Sequence, residues 1–229
     1  MKPELLRFGA DLNPVVILDC FSGRRRGIVE IAAAMAPFPP SGGNVYPGLR
    51  RVITKEDDAA WLYITQLLSD AAPYIGGAFD ADSLYLLEAS FSIVTAAPDD
   101  LAPEQRAPHF DSTDPSYIAV IHYLSDMPSA GTAFYRQRAT GIETVRENNV
   151  DLYVNTAKRV AREFPKAYIA GSNEHYEEIG RIEGAPDRLA VYRGAMLHSG
   201  VIPPEMPLSS DPRVGRLTAN LFIRLRQLG

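Results

Sequence analysis

From Asp82 onward the apolar residues arrive in short β-rich runs separated by turns, and this pattern restricts the fold more than any other feature of the chain. Phe91-Ser-Ile-Val-Thr95, Tyr117 to Leu124, Gly131 to Arg136, Tyr176 to Glu183, Arg188 to Arg193 and Gly215 to Leu225 each read as a strand. Asp126 to Ala130 and Gly184-Ala-Pro-Asp187 supply turns between them. Several short strands punctuated in this way predict a sandwich or barrel. One helical insert interrupts them at about 150–164, with Leu152, Thr156, Val160 and Phe164 along one side.

Residues 1–82 read differently. Pro14 to Phe21 is an apolar, β-branched run and predicts a strand. Arg24 to Met35 has helical spacing and is stopped by Pro37, Pro39 and Pro40. Phe38 to Gly48 is rich in Pro and Gly and predicts a loop. Thr54 offers an N-cap with Asp57 three residues on, opening a helix to about Ala71 that buries Trp61, Ile64 and Leu68. The expectation is an N-terminal, mainly helical supporting layer followed by a β core from residue 83, an α+β chain forming a single domain over 1–229.

The net charge of −5 offers no electrostatic basis for binding nucleic acid or an anionic membrane. Arg24-Arg25-Arg26, at a helix start, reads as a solvated surface. Cys20 is the only cysteine, which excludes an intrachain disulfide, and its apolar neighbours predict a buried strand residue. The N-terminus lacks the apolar core of a signal peptide, and no apolar run approaches the roughly 20 residues that span a bilayer. These features predict a soluble cytoplasmic protein, with homo-oligomerisation left open.

Chemistry concentrates in Ala107-Pro-His-Phe-Asp111. Residues two apart in an extended strand point to the same face, so His109 and Asp111 can aim an imidazole and a carboxylate at one point. His198, in Gly194-Ala-Met-Leu-His-Ser-Gly200, is available as a third ligand. Two His and one carboxylate suit a non-heme Fe(II) oxygenase. The chain has no Gly-x-Ser-x-Gly elbow, P-loop or Gly-x-Gly-x-x-Gly, and one cysteine excludes thiolate-rich zinc sites.

The order of parts around these residues is informative. His109 and Asp111 precede a run ending in Tyr123-Leu124; a Gly131-Thr-Ala-Phe134 strand follows, then a strand-turn-strand delivering His198, then Gly215-Arg216 opening the last strand. From about Leu84 to Arg226 this order resembles the 2-oxoglutarate/Fe(II)-dependent dioxygenases, in particular their prolyl-4-hydroxylase-like branch. Near full length the chain is similar to a bacterial family of unknown function within that superfamily. The resemblance implies a double-stranded β-helix (jelly-roll, cupin-like) core and Fe(II) on His109, Asp111 and His198. It also implies 2-oxoglutarate and O2 as co-substrates, and hydroxylation of a small molecule or an amino-acid or peptide side chain.

The distal carboxylate of 2-oxoglutarate needs a partner if buried, and Arg216 fits because a guanidinium binds a carboxylate with two parallel hydrogen bonds. Thr218 and Asn220 share its face by alternation, and the family's carboxylate-binding tyrosine falls on Tyr123. The Pro-rich Val201 to Arg213 lengthens the path from His198 to Arg216, leaving Arg213 and Arg224 as competitors. Ala130-Gly131 stands where the family has Gly-Gly, and only Ser90 and Ser92 offer a polar anchor from the first strand. In the Asn44 to Arg50 loop, Tyr46 and Arg50 are candidates for a substrate mouth. His122, whose neighbour Tyr123 points the other way, reads as structural, and His175 as a surface residue. Two alternatives stay open: a cupin-like metal enzyme that does not use 2-oxoglutarate, and a non-catalytic binding module on the same scaffold.

Overall fold

The computed structural model describes residues 3–42, 46–127, 129–161 and 163–226. Its strands are β1 (Pro3–Phe8), β2 (Asn13–Leu18), β3 (Gly48–Val52), β4 (Ser83–Val94), β5 (Tyr117–Tyr123), β6 (Thr132–Gln137), β7 (Tyr176–Ile182), β8 (Arg188–Arg193), β9 (His198–Gly200) and β10 (Leu217–Arg226). The α-helices are α1 (Arg25–Ala34), α2 (Asp58–Phe79) and α3 (Val150–Val160). A seven-stranded sheet runs β1-β2-β8-β5-β10-β4-β3 and faces a three-stranded sheet, β7-β6-β9. This α+β arrangement is a double-stranded β-helix core backed by helices.

Alternation divides the large sheet cleanly. On β10, Leu217, Ala219, Leu221, Ile223 and Leu225 join one core cluster with Ile28 of α1 and Tyr63, Ile64, Leu67, Ala71 and Ile75 of α2. On β5, Ile118 and Val120 belong to the same cluster, whereas Ala119 and Tyr123 pack with Phe134 of the small sheet. The opposite parity of β10, carrying Thr218 and Asn220, therefore faces the space between the sheets. Central strands covered on both faces are mainly apolar, which is why they read as runs, and their polar exceptions Ser92 and Asn220 face the cavity.

The first 82 residues are more than a helical layer. They contribute β1 and β2 at one edge of the large sheet, against β8, and β3 at the other edge, against β4. Arg50 accordingly sits in a strand instead of a loop; Asn44 and Val45 of that expected loop lie outside the described residues. Cys20 is not a buried strand residue: β2 ends at Leu18, and Cys20 is exposed in the following turn at a φ of 49°. The second helix begins at Asp58, because the Asp57 carboxylate accepts bonds from the Thr54 N–H (2.8 Å) and Oγ1 (3.2 Å) and closes a turn there. It then runs past Pro73 to Phe79, with Ala71, Ile75 and Phe79 prolonging its buried stripe. Trp61 is half-buried beside the core, while Ile64 and Leu68 are buried. On α3 the buried residues are Tyr153 and Thr156, and Leu152 faces solvent. No helix among the described residues is long and apolar enough to cross a membrane.

Candidate metal centre and co-substrate cavity

His109 and His198 meet across an isolated antiparallel bridge. The His109 N–H donates to the His198 carbonyl and the His198 N–H to the His109 carbonyl, each at 2.8 Å. Two residues on, the Asp111 N–H donates to the Gly194 carbonyl at 2.7 Å. The short segment holding His109 and Asp111 is thus strapped to the strand that delivers His198, although 89 positions separate the two histidines in sequence (198 minus 109). Their rings lie 4.4 Å apart by centroid.

The side chains converge as well. His109 Nε2 is 3.9 Å from Asp111 Oδ1, and His198 Nε2 is 3.6 Å from Asp111 Oδ2. One ligating atom from each of the three lies within 4.8 Å of the other two. His198 Nδ1 donates to the Met196 carbonyl at 2.8 Å, which leaves the Nε2 lone pair turned to the common point. Tyr192 packs edge-on against the His198 ring at 4.9 Å and restrains its rotation.

Electrostatically the three side chains are incomplete on their own. Burial, with His198 adding to it, holds His109 well below the usual imidazole range, so its ring is a neutral donor of a lone pair. Burial also pushes Asp111 up, against the pull of His198 and Arg50. Asp111 Oδ2 is buried with no hydrogen-bond partner. An orphaned buried carboxylate oxygen is costly. A divalent cation between it and the two imidazole nitrogens removes that cost, so the residues fit Fe(II).

These residues line a cavity of about 350 Å³ between the sheets. Arg216, just before β10, is buried in its wall; its Nε donates to the Ala130 carbonyl (3.1 Å) and Nη2 to the Gly131 carbonyl (2.8 Å). The guanidinium is aimed by the segment where Ala130-Gly131 departs from Gly-Gly. At Gly131 a Cβ would fall 1.8 Å from the Ile182 carbonyl oxygen, so the second glycine is sterically required. Arg213 and Arg224 are elsewhere: both are more than half exposed, paired with Glu30 and Asp114.

Tyr46 is half-buried on the cavity wall, with its hydroxyl inside and within the electrostatic reach of Arg216. Its hydroxyl is buried, makes no well-formed hydrogen bond, and is pushed up to about 12 by burial, against the pull of Arg216, Arg50 and the neighbouring Ser92 hydroxyl. Ser92 Oγ, also on the cavity wall, is orphaned too. Tyr123 packs its ring against the Arg216 guanidinium (5.8 Å) and bonds its hydroxyl to Thr132 Oγ1 at 2.7 Å. Thr218 is buried opposite Tyr123 in register, and Asn220 lines the cavity. Arg50 lines it from β3, donating from Nε to Ser90 Oγ (2.9 Å), pairing with Glu88 and lying 5.5 Å over the Phe222 ring.

Sequence reasoning missed Tyr117 and Phe222, whose rings pack at 5.3 Å and line the same cavity. Strand parity contains the signal, because Tyr117 has the parity of Tyr123 and Phe222 that of Asn220. His122 is structural: fully buried, it accepts from the Tyr63 hydroxyl at Nδ1 (2.7 Å) and donates from Nε2 to Asp187 (2.9 Å). His175 is half-buried, with Nε2 between exposed Glu163 (3.3 Å) and Glu174 (3.2 Å).

The model of a family of unknown function (DUF6445) matches residues 1–223. The chain belongs to this family. No curated protein matches it. Among solved structures, this DUF6445 member is similar to the non-heme alpha ketoglutarate dependent epimerase SnoN from nogalamycin biosynthesis. That likeness has 13% identity and a TM-score of 0.56, covering 93% of this chain and 78% of SnoN. HygX from Streptomyces hygroscopicus, solved with nickel, 2-oxoglutarate and hygromycin B bound, gives 11% identity and a TM-score of 0.53 over 94% of this chain and 84% of HygX. The viral collagen prolyl hydroxylase vCPH from Paramecium Bursaria Chlorella virus-1, in its 2OG complex, gives 11% and 0.50 over 93% and 96%. The DUF6445 chain therefore has the fold of the 2-oxoglutarate/Fe(II)-dependent oxygenases.

Proposed function

We propose that the protein is an Fe(II)- and 2-oxoglutarate-dependent oxygenase that hydroxylates a small molecule or an amino-acid or peptide side chain. The observation that carries the proposal is Asp111 Oδ2, buried and unpartnered between two imidazoles in the cavity that also holds Arg216. His109, Asp111 and His198 would hold the iron. When bound, the iron supplies the coupling of O2 reduction to oxidative decarboxylation, so that R–H, 2-oxoglutarate and O2 become R–OH, succinate and CO2.

The protein's own residues place the reactants. Arg216 offers a buried cation for the distal carboxylate of 2-oxoglutarate, and the orphaned hydroxyls of Tyr46 and Ser92 offer further donors near it. Tyr123 and Thr132, bonded to each other, support the guanidinium and the cavity wall, with Thr218 and Asn220 on the adjoining strand. Arg50, Tyr117 and Phe222 would contact the substrate. A cavity of about 350 Å³ lies at the small end of the range for one ligand and must admit two. What enters beside the co-substrate is a small molecule or a single side chain.

The test is an anaerobic titration of the protein with Fe(II) and then 2-oxoglutarate, followed by the weak visible charge-transfer band of the chelate. The band and a raised melting temperature are expected, both absent in Asp111→Ala. Metal-dependent turnover that ignores omission of 2-oxoglutarate would favour the cupin-like alternative. No Fe(II) uptake and unchanged melting would leave a binding module.

A further inference from the structure

We propose that Tyr153, on the helix inserted between β6 and β7, is a positioning residue for the metal ligand His109. The proposal rests on the metal centre described above and adds a residue from outside its cavity. His109 sits in a segment too short to form a strand, held to β9 by one two-bond bridge. That bridge uses the N–H and carbonyl of His109 itself. Successive carbonyls of an extended chain point to opposite sides, so the Pro108 carbonyl faces away from β9. Pro108 has no N–H and adds nothing to a ladder.

The Tyr153 hydroxyl donates to this carbonyl at 2.6 Å, with both groups buried. The Phe110 ring stands edge-on to Tyr153 at 5.8 Å, and Ala107 and Leu197 belong to the same apolar cluster as Tyr153. The residues flanking His109 on either side therefore touch one aromatic side chain, while the ligand itself is tied to the facing strand. The segment is gripped from both sides.

A buried tyrosine hydroxyl needs some partner in any fold. Beside the Tyr176 hydroxyl, the partner of Tyr153 is the carbonyl one residue before a ligand, and its ring also meets Phe110 one residue after that ligand. The insert thus acts as a brace that fixes where the His109 imidazole points. Groups that orient metal ligands are commonly worth ten- to a hundred-fold in metal affinity.

The experiment compares wild type, Tyr153→Phe, Tyr176→Phe and Ile169→Ala. Tyr153→Phe keeps the ring and removes the hydroxyl, and Tyr176→Phe, which removes only the neighbouring hydroxyl that Tyr153 also meets, should leave Co(II) affinity within two-fold of wild type. Ile169→Ala loosens the same apolar cluster without a hydrogen bond to the ligand segment. Co(II) affinity is measured by equilibrium dialysis, together with amide hydrogen exchange at His109 and His198 in the metal-free protein. Tyr153→Phe should bind Co(II) about ten-fold more weakly and exchange both amides faster, while Ile169→Ala melts earlier with affinity within two-fold of wild type. Equal affinities and equal exchange for wild type and Tyr153→Phe, or an equal loss in Ile169→Ala or Tyr176→Phe, would overturn the proposal. If wild type itself takes up no Co(II), the metal assignment fails, and the metal-free exchange rates still decide whether Tyr153 holds the segment.

Discussion

Gly194 provides the sharpest test of the geometry around Asp111. A Cβ built there falls 2.7 Å from Tyr117 Cδ1 and 3.1 Å from both Cβ and Oδ2 of Asp111. Ordinary carbon contacts are about 3.5–4.0 Å, so Gly194→Ala demands a movement of roughly 1 Å. Neither neighbour can retreat freely. The Asp111 N–H is bonded to the Gly194 carbonyl itself at 2.7 Å, and Tyr117 is anchored by its N–H to the Asp114 carbonyl (3.0 Å) and by its ring to Phe222 (5.3 Å). Overpacking of this kind costs about 1–3 kcal/mol, which for a chain of this size is a fall in Tm of roughly 2–12 °C. The carboxylate is the least restrained group, so Fe(II) affinity should fall about ten-fold as well. The assay is differential scanning calorimetry of the metal-free protein with metal titration in parallel. Gly27→Ala is the control: Gly27 is exposed in the first turn of α1 with nothing within 4 Å of its Cβ, and the variant should melt no earlier than wild type. A Gly194→Ala protein that melts with wild type and binds Fe(II) equally would show that Asp111 and Tyr117 do not close on this glycine.

Three other outcomes follow from named contacts. Tyr46→Phe removes a buried hydroxyl that makes no well-formed hydrogen bond, so metal-free stability should hold or rise while KM for 2-oxoglutarate increases several-fold; an unchanged KM would remove Tyr46 from the co-substrate site. For Asp187, burial raises the carboxyl, but bonds from His122, Ser22 and Gly23 overcome it and hold the group at about 2. Its stabilisation is present above the unfolded value near 3.8 and is lost as pH falls through about 2, so Tm should drop steeply in that window and Asp187→Asn should flatten the drop. His122 is lowered by burial, against the pull of Asp187, so its neutral ring stabilises the fold above the unfolded value near 6.5 and progressively less as pH falls below it. A Tm independent of pH between 6.5 and 5 in wild type, with the same profile in His122→Gln, would remove His122 from the acid response.

The central strands and the shared face of His109 and Asp111 were legible from one dimension. β5 and β8 appear where apolar runs place them, because a strand covered on both faces favours apolar residues and admits a polar one, such as His122, only with its hydrogen bonds made. The period of two decides which residues share a face, and it was enough to pair His109 with Asp111. Edge strands were not legible. β1 alternates little and carries Glu4 and Arg7, and β3 reads Gly-Leu-Arg-Arg-Val, because an edge needs no buried partner on its far side. Pro73 signals a stop that the helix ignores, since Ala71, Ile75 and Phe79 gain enough burial to offset the lost backbone bond. Cys20 reads as core because Val15 to Leu18 and Phe21 around it are apolar, although Asp19 and Ser22-Gly23 carry the signal of the turn in which it sits.

Only the tertiary structure decided the partners. Periodicity ranks faces within one strand and says nothing about which distant strand lies opposite, because that choice is made by packing the two sheets and helices together. The meeting of His198 with His109 and the reach of Tyr153 to the Pro108 carbonyl are both contacts of this non-local kind.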